Sequence, residues 1–101
     1  MTVSSLTYDG LTPVSVRVTR RERRYTVSDD GAAVRAAGVQ AGRLAFPDHI
    51  DFGDRSVNVS RQGVVFLPAA APSEEWLQTL RVLVAQGSIA LYEELLELDR
   101  P

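Results

Sequence analysis

Apolar residues change their spacing once along this chain, and that change limits what it can fold into. Up to Leu67 they alternate with polar residues or form short runs; from Trp76 onward they recur every three or four positions. Alternation places side chains on opposite faces of a strand, whereas three-four spacing aligns them along one side of a helix. A chain that does both lays a sheet against a helix. The pattern predicts a single α+β domain over residues 1–101, in which an antiparallel sheet of hairpins is covered by a long C-terminal helix. A shorter helix follows the second or third strand.

The first third reads as strands. Val3 to Tyr8 is rich in β-favouring residues and ends at Asp9-Gly10, a strong tight-turn pair. Leu11, Val14, Val16 and Val18 follow as a half-buried strand, which starts after Pro13 or lies on an edge there. Tyr25 to Val27 is the return strand, and the polar run Thr19 to Arg24 between the two is expected to be a loop. Ser28-Asp29-Asp30-Gly31 then offers side-chain oxygens to a helix start. Ala32 to Ala37 favours helix, and Gly38 supplies a left-handed stop.

Leu44 to Phe46 and Ile50 to Phe52 are candidate short strands around Pro47. Val57 and Val59 alternate with polar neighbours, Arg61-Gln62-Gly63 reads as a hairpin loop, and Val64 to Leu67 as a buried central strand. Pro68 to Pro72 is then a connector. Ser73 can cap the long helix, with Glu74 and Glu75 suited to its dipole. Leu77, Leu80, Val84, Gly87, Leu91 and Leu98 form its apolar stripe, widened by Trp76, Leu83, Leu95 and Leu96. Gly87-Ser88 would kink or break this helix, or let it approach a neighbour closely.

Composition narrows function mainly by exclusion. A chain of 101 residues buries roughly two-thirds of its unfolded surface, enough for one core. The absence of cysteine removes disulfides, thiolate metal sites and cysteine nucleophiles, and fits a cytoplasmic location. No basic start precedes an apolar run, so no signal peptide is expected. The longest apolar run, Val64 to Pro72, is too short to span a membrane. Net charge is −2, whereas dedicated nucleic-acid binders are usually basic. All eleven cationic side chains are arginine, as a GC-rich genome would produce.

The run Arg24-Tyr25-Thr26-Val27-Ser28-Asp29-Asp30-Gly31 resembles the hallmark of the bacterial and phage family called domain of unknown function 1828. That hallmark is an aromatic residue, a strand, then Ser/Thr-Asp-Asp-Gly opening a helix. Asp9-Gly10 is similar to the family's earlier turn, and Val57 to Leu67 with the helix from Trp76 resembles its second half. The family usually has more helix after Asp-Asp-Gly than Ala32 to Ala37 provides here. The resemblance implies no activity.

Few residues suggest chemistry. Asp29 and Asp30 could hold a cation or exchange protons, but no further oxygen ligands are nominated beside them, and capping explains both. His49 is the lone histidine, among Asp48, Asp51 and Asp54; without a second histidine it reads as a polar loop residue. No Gly-x-Ser-x-Gly elbow or phosphate-cradling glycine loop occurs. No catalytic, cofactor or metal residue is therefore nominated.

Two surfaces remain. Arg20, Arg21, Arg23 and Arg24 could grip a phosphate backbone or an acidic partner. Trp76, Leu80, Val84, Leu91 and Leu95 could join two copies or a protein partner through the long helix. Glu93, Glu94, Glu97 and Asp99 oppose that helix's dipole with only Arg100 to compensate, so a nearby cation, foremost the arginine hairpin of the same chain or of a neighbour, would relieve them. The expected function is non-enzymatic, through protein–protein interaction or self-association; the alternative is nucleic-acid binding through residues 20–24.

Overall fold

In the computed structural model, described for residues 2–10, 12–39 and 45–98, the chain runs β1 (Thr2–Thr7), β2 (Pro13–Ser15), β3 (Arg17–Arg21), β4 (Arg24–Ser28), α1 (Ala32–Ala37), β5 (His49–Phe52), β6 (Arg55–Val59), β7 (Val65–Ala70) and α2 (Glu74–Leu98). The α+β class expected from the two spacings is the one observed. β1 and β2 form a two-stranded ribbon, and the other strands form one antiparallel sheet in the order β3-β4-β7-β6-β5. Both rest on α2, and α1 packs beside it. No helix among the described residues is long and apolar enough to cross a membrane.

The valines at 14, 16 and 18 keep one alternating side through a corner. Val14 and Val16 are fully buried, and the single residue Val16 joins β2 to β3 as the chain passes from the ribbon to the sheet. At the ribbon's turn, the Asp9 carboxylate accepts hydrogen bonds from the backbone N–H (2.6 Å) and hydroxyl (3.1 Å) of Thr12.

Strand structure reaches further into the arginine-rich run than its polarity suggests. Arg20 pairs with Tyr25 and Arg21 with Arg24, so only Glu22 and Arg23 turn the chain, rather than the whole of Thr19 to Arg24. One face of this hairpin is open to solvent, and on such a strand polar residues cost nothing. Glu22 turns with φ 59°, a conformation that two-residue hairpins usually give to glycine.

The central strand also outruns its expected end. β7 continues through Pro68 to Ala70, where a connector was expected, pairing residue by residue with β4. Its other neighbour, β6, pairs only at Asn58–Phe66 and Val59–Val65 and then diverges. From Leu67 onward β7 therefore has a free edge, where a residue without an N–H is tolerated. In the middle of the chain, Ala45 and Phe46 lie outside any strand, and Leu44 falls outside the described residues.

α2 is one uninterrupted helix of 25 residues, capped by the Ser73 hydroxyl accepting from Trp76 N–H at 3.1 Å. Gly87-Ser88 does not break it. A Cβ at Gly87 would lie 2.3 Å from Cγ2 of the fully buried Val57. Glycine here lets the helix axis settle onto β6, the close approach that its place in the stripe foreshadows.

Candidate functional site

The Asp-Asp-Gly run folds into a turn before it starts a helix. Asp30 (φ 55°) and Gly31 (φ 80°) both take left-handed backbone, and Ala32 N–H donates to the Asp29 carbonyl at 2.9 Å. Positive φ at both central positions is the mirror-image turn that Asp-Gly favours. The reversal points the Asp29 side chain inward, and that residue is only 1% exposed.

Four hydrogen bonds converge on this carboxylate. Oδ1 accepts from Gly31 N–H (3.0 Å) and from Val65 N–H at the start of β7 (2.9 Å). Oδ2 accepts from Ala33 N–H in α1 (3.3 Å) and from the Ser88 hydroxyl in α2 (2.7 Å). The Ser88 oxygen also lies 2.7 Å from the Tyr8 hydroxyl, whose ring tilts against Tyr92 at a centroid distance of 5.2 Å. With Ser88 donating to Asp29, the phenol donates to Ser88. One chain of polar groups thus ties the ribbon, β7, α1 and α2 together. Burial pushes the Tyr8 phenol above its usual pKa, and the Asp29 charge adds to this; the Ser88 bond and Arg35 oppose it.

Asp29 therefore caps α1 from within the core, and its two longest-range partners lie 36 and 59 residues away in sequence. Asp30, by contrast, is exposed and 3.7 Å from the exposed Arg17 guanidinium. Ser28 takes no part in capping; it pairs between Arg17 and Phe66 in the sheet.

His49 opens β5 at the far edge of the sheet, 3.5 Å from Asp51, with both side chains largely exposed. Three strand spacings, about 14 Å, separate β5 from β4, so His49 and Asp29 share no site. Among the described residues no three His, Asp or Glu side chains group as metal ligands would.

The arginine cluster is divided by the pleat. Arg21 and Arg24 stand directly opposite one another on the sheet face turned away from α2, above the Thr19–Thr26 pair, with Arg17 further along the same face. Arg20 emerges on the other face, its guanidinium 5.7 Å from the Tyr25 ring centroid and its Nε donating to the Glu22 carbonyl at 3.0 Å. Arg23 occupies the turn. Among the described residues no carboxylate lies within ion-pair distance of Arg21, Arg23 or Arg24. A shallow depression beside the pair is lined by Thr19, Arg21, Glu22, Arg24 and Thr26.

The expected helix interface is redistributed. Leu80, Val84, Leu91 and Leu95 are at most 3% exposed and pack into the chain's own core, so they are not available to a second copy; Trp76 alone stays outside, at 49%. The arginine hairpin does not relieve the acidic helix end within the chain either. Ala71 N–H bonds the Arg23 carbonyl, which places the hairpin tip beside the start of α2, about 30 Å along the helix from Glu93. Asp99 lies outside the described residues.

Sequence reasoning missed Ser88 as a partner of Asp29 and Tyr8 as the partner of Ser88. No local pattern marks them, because their spacing from it is set by the fold. Comparison with family models, curated proteins and solved structures finds no match to this chain.

Proposed function

We propose that this is a non-enzymatic interaction protein that binds an acidic surface of a protein partner through the open face of its sheet. The observation that carries this is the Arg21–Arg24 pair: two like charges directly opposite one another, in no ion pair with a described carboxylate and exposed on a face that no described element covers. Opposed like charges weaken a sheet, so a bound anion would add stability there. Guanidinium groups suit carboxylates because they offer paired donors in a plane. Asp29, the one buried carboxylate among the described residues, has its lone pairs occupied by structural donors, which supports a role without chemistry.

Nucleic-acid binding is the second reading, favoured by the same pair with Arg17 in line. The division of the cluster between two faces speaks against it, as does the position of Tyr25 on the opposite face, where it cannot act as a stacking platform beside Arg21 and Arg24. Capture from a lysate of the source cells, with and without nuclease, separates the two. A protein retained after nuclease and lost with Arg21→Ala/Arg24→Ala supports the proposal. Nucleic acid lost with the same variant replaces it with the second reading, and retention unchanged by the variant refutes both.

A further inference from the structure

α2 carries a second apolar line besides the one that faces the core. Val82, Ile89 and Leu96 recur at intervals of seven, with Ala85 and Tyr92 falling between them at three-four spacing. Ala85 and Tyr92 are buried, Ile89 is half-buried, and Val82 and Leu96 are 40% and 37% exposed. The line thus borders the core and opens to solvent along about 21 Å of helix. A seven-residue repeat is the spacing by which one helix meets another side by side.

Charge along this line is not symmetric. At its Val82 end lies a shallow hollow lined by Arg55, Gln78, Thr79 and Val82, and Arg55 is exposed and in no ion pair among the described residues. At its Leu96 end stands Glu93, one turn from both Ile89 and Leu96, with Glu97 following; both glutamates are exposed and sit where the helix dipole disfavours them.

We infer that α2 pairs antiparallel with α2 of a second copy through Val82, Ile89 and Leu96. A two-fold axis near Ile89 sets Leu96 of each copy into the hollow beside Val82 of the other. It also brings Glu93 and Glu97 towards the other copy's Arg55. A parallel pairing would instead oppose Glu93 to Glu93 and Arg55 to Arg55, and like charges in register disfavour it. The pairing brings a cation to Glu93 and Glu97, which form no ion pair among the described residues, and it is independent of what the open sheet face binds. One helix contact of this length is small beside a standard interface, so a weak, reversible association is expected.

Sedimentation equilibrium of the intact chain, from micromolar to millimolar, tests this. A reversible dimer is expected, and Leu96→Glu should raise its Kd roughly 30-fold, with circular dichroism showing the monomer still folded. Arg55→Glu should weaken association, and Arg55→Glu/Glu93→Arg should restore it. Because the chain has no cysteine, separate Val82→Cys and Leu96→Cys proteins can be mixed under oxidising conditions, and the 82–96 disulfide should predominate. A monomer at all concentrations, a dimer indifferent to Leu96→Glu, or a predominance of 82–82 and 96–96 disulfides would overturn the inference.

Discussion

Gly87→Ala should destabilise this protein, although alanine is the better helix former. An added methyl would lie 2.3 Å from Val57 Cγ2, 3.1 Å from its Cγ1 and 3.2 Å from its Cβ. Carbon atoms in ordinary contact sit about 3.5–4.0 Å apart, so the overlap exceeds 1 Å. Val57 has no room to yield, being fully buried and β-branched on a paired strand. Overpacking of this kind costs about 1–3 kcal/mol or more, and the helix preference for alanine returns about 1 kcal/mol. A net loss of about 2 kcal/mol is expected by urea denaturation monitored by circular dichroism. Val57→Ala alone leaves a cavity and should cost about 2–3 kcal/mol. In the double variant the new methyl fills that cavity, so the two losses should fall short of additive by about 2 kcal/mol. If Gly87→Ala instead raised stability by about 1 kcal/mol, as at an exposed helical glycine, the close approach of α2 to β6 would be refuted.

Two further outcomes follow from local geometry. Tyr8 is buried with its pKa raised, so the folded state holds that proton more tightly than the unfolded state does. Its contribution is complete below the unfolded value of about 10 and is lost as pH rises beyond it, because the unfolded state ionises first. Urea midpoints should therefore fall more steeply above pH ~10 for the wild type than for Tyr8→Phe, and equal slopes would remove Tyr8 from the network. Glu22→Gly should stabilise the hairpin by about 0.5–1 kcal/mol by relieving a left-handed residue at the turn, whereas Glu22→Ala should not; the check is the same denaturation series.

What could be read in advance was what depends on neighbours in sequence. Ala32 to Ala37 closes at Gly38 as its residues indicate, and Ser73 caps α2. The alternation at Val57 and Val59 marks buried positions of β6. What escaped depends on partners far along the chain. Pro68 sits in a strand because β6 departs from β7 there, and nothing near Pro68 records that departure. Thr19 to Arg24 looked like a loop because a solvent-facing strand and a loop share the same polarity. The arginines looked like one cluster because sequence adjacency conceals the pleat, which sends Arg20 to the face opposite Arg21. Asp29 was recognisable as a capping residue, but not as the point where β7, α1 and α2 meet.

That junction is best probed by the unfolding free energy of Asp29→Ala. The variant leaves the N–H groups of Ala33 and Val65 without partners at fully buried positions, each worth about 1–3 kcal/mol, so a loss of about 4 kcal/mol is expected. Asp29→Asn, which keeps one accepting oxygen, should lose about half of that. A loss under ~1 kcal/mol for Asp29→Ala would contradict the structural role assigned here, and would return this buried carboxylate to the list of groups kept for something other than folding.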